Sequence, residues 1–422
     1  MANEMRKVFK KIKNNRLLKW LAGMPALNKS YHLSLAYAGS LVYRKPSRKI
    51  FVLGVTGTKG KTTVLELISY ILERAGVRTA LLSSVRMKIG RESISNYWSN
   101  TMPGRMFIQR FLRKAVGKKC DYALIEVTSQ GVVSSRHRFI NWSAAIFTNL
   151  APEHIEAHGS FEKYREAKIS FFKYAKNSPP ASGSRREKIF FINKDDPNYK
   201  HFSDALWGEN VIFYSRSDIG PDFSVSSRIK GDFNRENIAA AVAFCRSQGV
   251  NDKIIKRAVF DFPGVPGRME ILQENPFLVA IDYAHTPDSL EKVYMSLKKD
   301  YGVKNLVCVL GSAGGGRDKW KRPEMGKIAE KYCSKIILTN EDPYDENPEE
   351  IISQIESGIS KKEKVLKILD RREAISRALS LAEDGGGVIF TGKGSESSIH
   401  LAAGKKLPWN EKEKVLEAIK SR

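Results

Sequence analysis

The run Gly54-Val55-Thr56-Gly57-Thr58-Lys59-Gly60-Lys61-Thr62-Thr63 constrains this chain more than any other feature. Before it stands IFVLGV (50–55), an unbroken apolar stretch of the kind that marks a strand covered on both faces. After it comes a helical pattern from about Lys61 to Ala75. A glycine-rich loop between a buried strand and a helix lets backbone N–H groups close in on phosphate, and Gly57, Thr58, Gly60 and Thr63 are expected to form that cradle. Lys61 then supplies a positive charge to the β/γ oxygens, and the Thr62 hydroxyl can coordinate Mg²⁺. The common phosphate-loop pattern has a glycine five residues before Gly60, where this chain has Val55. The alternative reading is a glycine turn with a stray lysine. Strand, loop, Lys-Thr-Thr and helix all argue against it.

Further apolar runs alternate with helical stretches. YALIEV (122–127), AAIFT (144–148), KIFFI (188–192) and VIFY (211–214) read as strands, and the alternation predicts a mostly parallel sheet. DFPGVPGR (261–268) packs two prolines and two glycines into eight residues and reads as a boundary. A second series follows with FLVAI (277–281), NLVCVL (305–310), KIILT (335–339) and GVIFT (387–391). The expected class is α/β: a short basic helical segment over 1–47, a central P-loop ATP-binding domain over 48–262, and a Rossmann-like domain over 263–422. Within the first segment, residues 1–25 read as a basic helix ended by Pro25, and 31–43 as a second short amphipathic helix.

Two further segments carry candidate metal ligands. Glu126 closes a buried strand in Glu126-Val127-Thr128-Ser129-Gln130, and a carboxylate at the C-terminal end of a parallel strand faces the crevice where ligands bind. It can hold Mg²⁺ against phosphate. The segment Thr148-Asn149-Leu150-Ala151-Pro152-Glu153-His154-Ile155-Glu156-Ala157-His158-Gly159 also follows a buried strand and gathers two histidines and two acids. His154 is expected to contact metal or phosphate, His158 less so. Lys168, read alone, is a helix-surface lysine.

Formal net charge is +25, and residues 1–50 carry twelve Lys/Arg against Glu4 alone. Such a field attracts polyanions without choosing among them. No nucleic-acid module accompanies it, so no nucleic-acid partner is expected. The basic stripe in 1–25 admits two readings, docking on an anionic membrane surface or a solvated helix face packed on the ATPase domain. No apolar run reaches the length of a membrane span and no leader pattern stands at the start, so a cytoplasmic protein is expected, working as a monomer. Cys120, Cys245, Cys308 and Cys333 form no paired motif and are expected to be buried reduced thiols rather than a zinc site.

Taken together, GVTGTKGKTT (54–63), EVTSQG (126–131), FTNLAPEHIEAHGS (147–160), YREAK (164–168), GDFNRENIAAA (231–241), VPGRME (265–270), DYAHTPDS (282–289), GGGRDKWKRPEMG (314–326), DP (342–343) and GKGSE (392–396) resemble the Mur ligases of peptidoglycan synthesis, in particular the UDP-N-acetylmuramoyl-tripeptide synthetase type, from Ile50 to Trp409. The resemblance implies an ATP-dependent ligase that activates a muramoyl-peptide carboxylate as an acyl phosphate and joins it to a free amino acid. It implies that Lys61 and Thr62 bind the ATP phosphates and, with Glu126, a first Mg²⁺. His154 and Lys168, the latter as a carbamate, would hold a second. Asn149 would lie near the γ-phosphate and Asn234 and Asn237 at the base. Arg268, Asp282 and His285 would reach the nucleotide from across the hinge. Asn100, Thr101, Ser129 and Arg136 match positions that hold the sugar-peptide substrate.

Three departures shape the expectation. Fewer than fifty residues precede the P-loop strand, where the family has a domain that grips the uridine nucleotide, so a lipid-linked or otherwise altered muramoyl peptide is expected as donor. Diaminopimelate enzymes carry DNPR where this chain has Glu341-Asp342-Pro343-Tyr344. Without that arginine the bidentate clamp on a carboxylate is lost, which points to lysine or another amino acid, with Lys393 and Glu396 near the pocket. Finally, GKGHE reads Gly392-Lys393-Gly394-Ser395-Glu396. The alternatives are a folylpolyglutamate-synthetase-like enzyme or another Mur-type ligase acting on a non-UDP substrate.

Overall fold

The buried run that opens the phosphate loop becomes strand β1 (Phe51–Thr56), and every residue after Phe51 is buried. The computed structural model describes residues 25–96, 101–180, 187–220 and 223–422. The basic stretch 1–24, read above as a helix and a docking segment, lies outside them, as does Asn100. Pro25, expected to stop a helix, instead stands first in the described helix α1 (Pro25–Val42). A proline is tolerated in the first turn, where its missing N–H has no intrahelical partner to lose.

Helix α2 (Lys61–Arg74) follows the loop. Strands β2 (Thr79–Leu82), β3 (Arg86–Ile89) and β4 (Glu92–Ser95) come next, then helix α3 (Arg105–Gly117). Strands β5 (Tyr122–Glu126) and β6 (Ala144–Phe147) flank helix α4 (Ser129–Val133). After helix α5 (Phe161–Asn177) come β7 (Ile189–Asn193) and β8 (Asn210–Tyr214). The eight strands form one sheet in the order β4-β3-β2-β5-β1-β6-β7-β8. Its body is parallel, and only β2–β3 and β3–β4 pair antiparallel. Register matters here. Val55 lies beside Glu126 and Thr56 beside Phe147, so three strands end level.

Helices α6 (Asp232–Ser247) and α7 (Asp252–Phe260) precede a second sheet. It runs β13-β12-β11-β14-β10-β9. These are β9 (Glu270–Gln273), β10 (Leu278–Ile281), β11 (Leu306–Leu310), β12 (Lys335–Leu338), β13 (Val365–Lys367) and β14 (Gly387–Phe390). All pairs but β9–β10 are parallel. Each sheet is covered on both faces. Leu53 and Val55 pack toward α2 and α6, whereas Val52 packs toward Trp142, Phe171 and Phe172. Period-two alternation with apolar residues on both sides is what produced the continuous hydrophobic runs. Gly54 is needed for the same reason, because a Cβ there would strike the rings of Phe171 and Trp142.

The cysteines depart from expectation. Cys120 and Cys245 are free and buried, but Cys308 on β11 and Cys333 form a disulfide. The pairing links β11 to the turn leading into β12, neighbours in space that sit 25 residues apart in sequence. Among the described residues no helix is long and apolar enough to cross a membrane.

A buried ion pair ties together the segments that follow β12 and β14 in the middle of the second sheet. Arg371 Nη2 donates to Glu411 Oε1 at 2.6 Å and to the Thr391 carbonyl at 2.8 Å, while Nη1 reaches the Asn340 carbonyl at 3.2 Å. Trp409 Nε1 donates to Glu411 Oε2 at 2.6 Å. The two side chains are 1% and 0% exposed. Removing one partner leaves an uncompensated buried charge. Glu411→Ala is therefore expected to lower stability by about 3–5 kcal/mol, read from urea unfolding followed by circular dichroism.

Candidate active site

Because β1, β5 and β6 end level, the segments that leave them converge at one edge. Gly57 (φ 149°) and Gly60 (φ 81°) give the loop its conformation. A Cβ at Gly60 would run into Asn237 Oδ1, so glycine is required both by φ and by contact. Asn149 braces the loop, its Oδ1 accepting from Lys59 N at 2.9 Å and its Nδ2 donating to Lys59 O at 3.3 Å. Thr58 Oγ1 accepts from Ala151 N at 3.0 Å and pairs with Tyr164 OH at 3.0 Å.

Thr62 Oγ1 donates to Glu126 Oε2 at 2.9 Å, and Ser84 N donates to the same oxygen at 2.9 Å. Lys61 Nζ lies 3.9 Å from Glu126 Oε1 and donates to the carbonyls of Gly57 and Thr58 at 3.0 and 2.9 Å. Lys168 is no surface lysine. It is 2% exposed, with Nζ 2.7 Å from the same Gly57 carbonyl and 4.7 Å from the Tyr164 ring centroid. Burial, then the charge of Lys61, hold the Lys168 amine well below the usual lysine range. Burial lowers Lys61 too, against the pull of Glu126. Two ammonium groups sharing one carbonyl would repel strongly, and a neutral Lys168 removes the conflict.

Glu153, absent from the sequence-based candidate set, ties the halves together. Its Oε1 takes Lys59 Nζ at 3.1 Å and His285 Nε2 at 3.0 Å, with His154 Nε2 at 4.0 Å. Burial would raise this carboxyl, but Lys59 and His285 hold it well below the usual range. His285 Nδ1 faces the Tyr283 carbonyl at 2.7 Å. Burial pushes this ring down to about 3, so it is neutral with one proton, and the Nε2–H tautomer is the one that donates to Glu153. His154 is pushed down to about 4, chiefly by burial, and is therefore neutral. His158 stands apart from this group, pairing its Nε2 with Ser129 Oγ at 3.1 Å.

The second sheet supplies the opposite wall. Asp282 accepts from Met269 N and Ala284 N, each at 2.6 Å, and so shapes the crossing between the sheets. Arg268 lies over the Tyr283 ring at 4.3 Å and reaches Ser84 Oγ at 3.4 Å. Glu156 N donates to Asp318 Oδ1 at 3.0 Å across the gap. One continuous cleft results, lined from both sheets by Lys61, Glu126, Arg136, Arg268, Arg317 and Tyr344 among others. Thr101, Ser129, Asn234 and Asn237 also reach it. Asn237 Nδ2 donates to Asn234 Oδ1 at 3.2 Å, and Asn234 Nδ2 to the Lys230 carbonyl at 2.9 Å. Three non-glycine residues with positive φ, His154 (58°), Met269 (45°) and Tyr344 (52°), line the cleft, and such backbone tends to collect at ligand clamps.

At the far end, Asp342 accepts from Lys393 Nζ and from His400 N, both at 2.8 Å. Lys393 also donates to Glu396 Oε2 at 2.7 Å, and Tyr283 OH to Glu396 Oε1 at 3.0 Å. The Lys393 side chain is fully buried and braces this corner, whereas Glu396, Asp342 and Tyr344 face the cleft. Burial, then Asp342, raise Glu341 to about 7.

Residues 55–220 match the Mur ligase middle domain and 267–394 the Mur ligase, glutamate ligase domain. The chain is 34% identical over 396 residues to the UDP-N-acetylmuramoyl-L-alanyl-D-glutamate–2,6-diaminopimelate ligase of Aquifex aeolicus, spanning 89% of this chain and 79% of that one. The chain belongs to the Mur ligase family. It is an ATP-dependent enzyme of the kind that forms amide bonds. A UDP-N-acetylmuramyl-tripeptide synthetase of Roseiflexus is 34% identical over 429 residues, covering 94% of this chain and 84% of that protein. Among solved structures, a UDP-N-acetylmuramoyl-L-alanyl-D-glutamate–2,6-diaminopimelate ligase superposes with TM-score 0.57 at 27% identity, over 88% of this chain and 78% of that one. A Mycobacterium tuberculosis folylpolyglutamate synthase complexed with ADP and AMPPCP superposes with TM-score 0.69 at 18% identity, over 85% and 92%, which shows a shared fold. The Mur ligase fold thus accounts for both sheets.

Gly60→Ala forces a left-handed residue and a collision with Asn237 onto a loop that must stay open to phosphate. The variant is expected to bind a non-hydrolysable ATP analogue at least about tenfold more weakly while keeping its circular dichroism spectrum. Titration calorimetry reads this directly.

Proposed function

We propose that this Mur ligase joins an amino acid to the carboxylate of a muramoyl peptide through an acyl phosphate, with the triphosphate of ATP in the Gly57–Thr63 cradle. The observation that carries the reading is the convergence of Lys61, Thr62, Glu126 and Lys168 at one loop, with His154 beside Glu153 and within the field of Lys59 and Lys168, in a chain 34% identical to muramoyl-peptide ligases over most of its length. Asn234 and Asn237 take the base side, and Arg268, Asp282 and His285 approach from the second sheet. Ser129, Arg136 and Thr101 lie toward the peptide. Hinge motion about 262–268, between a unit over 48–262 and one over 263–422, would bring the walls together.

The residues present fit Mg²⁺. Among the described residues no group of three or more His, Cys, Asp or Glu side chains gathers into a cage. A Thr62 hydroxyl against Glu126 is the protein half of a site whose other ligands are phosphate oxygens and water. Neutral His154 is available for a second ion. Lys168 fits a carbamate: burial and the charge of Lys61 favour its unprotonated amine, the form that adds CO₂, and the modification places an anion beside Lys59 and Lys61. Metal bound here offsets charge on phosphate and carboxylate. The substrate carboxylate oxygen attacks the γ-phosphorus and ADP leaves. The amine nitrogen then attacks the acyl carbon, phosphate leaves and the amine gives up a proton. Lys61 holds the γ-oxygens throughout, and Arg268 and Lys59 add positive potential at the same place.

ADP release is expected from purified protein given ATP, Mg²⁺, a muramoyl dipeptide and one of a panel of amino acids. Release with folate and glutamate, and with no muramoyl pair, would replace this reading by the folylpolyglutamate one, which has fold likeness alone behind it.

The carbamate has its own readout. Protein equilibrated with ¹³C-bicarbonate is expected to show a carbamate carbon resonance that is missing in Lys168→Ala. An identical spectrum from the two proteins sinks the assignment.

A further inference from the structure

Helix α1 is built inside out. Its inward residues are small: Ala36, Gly39 and Ser40 are buried against α3. A Cβ at Gly39 would come within 3.0 Å of Met106 Sδ. Its large apolar residues point outward instead. Tyr31, Leu33, Tyr37, Leu41 and Val42 are between 41% and 64% exposed, and no charged side chain interrupts them. Tyr37 meets the ring of Phe139 at 5.1 Å and Tyr31 that of its neighbour His32 at 5.6 Å. A contiguous apolar face of this kind marks an interaction site.

Its surroundings carry one sign of charge. Residues 25–50 hold five Lys/Arg and residues 101–120 hold six, with no Asp or Glu in either segment. Arg44, Arg48 and Lys49 are exposed directly behind Leu41 and, with Leu41 and Lys45, line a shallow groove. On α3, Arg110, Arg113 and Lys114 are exposed on the neighbouring surface. Lys118 alone of the α3 group has a close acid, Glu92 at 2.6 Å.

We propose that the outer face of α1 and the basic turn behind it dock the protein on an anionic lipid surface. Aromatic and aliphatic side chains beside a basic cluster are what an interfacial helix needs: the apolar face enters the headgroup boundary and the cations meet lipid phosphate. Charge decides among the occupants. Residues 1–24 hold seven Lys/Arg against one Glu, and a second copy brings another +25, so both are repelled by this surface. Single-stranded nucleic acid would match the charge and could stack on Tyr31 and Tyr37, but the aliphatic Leu33, Leu41 and Val42 between and beyond them offer it neither stacking nor hydrogen bonds, whereas a lipid interface takes both kinds of side chain. The residues just before α3, Thr101 and Met102, line the catalytic cleft, so docking places the cleft beside the membrane.

The full-length chain tests this with vesicles of phosphatidylcholine alone or mixed with phosphatidylglycerol. Leu41→Cys can be labelled selectively with an environment-sensitive dye, because Cys120 and Cys245 are buried and Cys308 and Cys333 are paired. Expected are co-sedimentation with anionic vesicles alone, a blue shift of the dye on binding, and loss of binding as salt rises. The triple variant Arg44→Glu, Arg48→Glu, Lys49→Glu is expected to partition more weakly by on the order of tenfold or more, with unaltered thermal unfolding. Leu41→Asn with Val42→Asn is expected to weaken partitioning as well. Equal partitioning of wild type and both variants overturns the proposal, as does bound protein without a dye shift. It is equally overturned by single-stranded RNA that shifts the dye where vesicles do not. Self-association that the same substitutions abolish, without vesicle binding, also overturns it.

Discussion

The register of three parallel strands governs everything that happens at the cleft. Val55 beside Glu126 and Thr56 beside Phe147 make β1, β5 and β6 finish at one height. The loop at Gly57, the carboxylate of Glu126 and the segment from Thr148 to His154 then emerge within hydrogen-bonding distance of one another. A slip of one residue between β1 and β5 would turn Glu126 to the other face of the sheet and separate it from Thr62, and a slip between β1 and β6 would displace the residues that follow Phe147. The register is held from both sides, by Leu53 and Val55 in one core and Val52 in the other. Packing far from the cleft thus fixes catalytic distances inside it.

Electrostatics complete what register begins. Lys59, Lys61 and Lys168 crowd one loop with Glu126 and Glu153 as their nearest anions. Such a site is short of negative charge and is shaped for a polyanion. Glu153 divides its one oxygen between Lys59 of the first half and His285 of the second, so the charge that steadies the loop also draws the second sheet toward it. The His285–Glu153 contact gives interdomain closure a chemical basis. A neutral ring still makes that contact through its Nε2–H tautomer, which donates to the Glu153 carboxylate.

Much of this was legible in the chain. Continuous apolar runs identified β1 and β5 to β8 of the first sheet and β10, β11, β12 and β14 of the second, since a strand buried on two faces has no polar phase to confuse it, but they missed β2, whose four buried residues Thr79–Leu82 make too short a run. Motifs bound to strand ends, such as Thr62, Glu126 and His154, were legible because topology fixes where a strand end must lie. The hairpin strands β3 and β4 were not, because β3 is only half-buried and the edge strand β4, Glu92–Ser95, is fully exposed, so neither carries a continuous apolar signal. Lys168 illustrates the same limit. Its spacing on α5 looks like a solvent face, and only the loop folding over it reveals the burial. Glu153 was visible as an acid, yet its partner His285 lies 132 residues away, a distance that no local pattern spans. The Cys308–Cys333 disulfide was hidden for the same reason.

The far end of the cleft shows how one substitution is absorbed by its surroundings. Tyr344 stands where diaminopimelate enzymes of this family carry an arginine, and on sequence alone the end of the pocket loses its guanidinium. In the fold, Tyr344 adopts a left-handed backbone and stacks on His400, ring centroids 5.0 Å apart at 24°. Arg317, which also lines the cleft, lies close enough to hydrogen-bond the Tyr344 hydroxyl. A guanidinium is therefore present from another loop, with a phenol in place of a second one. Glu341, Asp342 and Glu396 surround it and leave this corner mixed in sign. Arg317 brings a cation to that corner while Asp342 and Glu396 bring acids, so groups of either sign can be met there. Asp342 and Glu396 share Lys393, the buried ammonium that offsets them from behind, so the charge of the whole corner is set jointly by these three residues and Arg317.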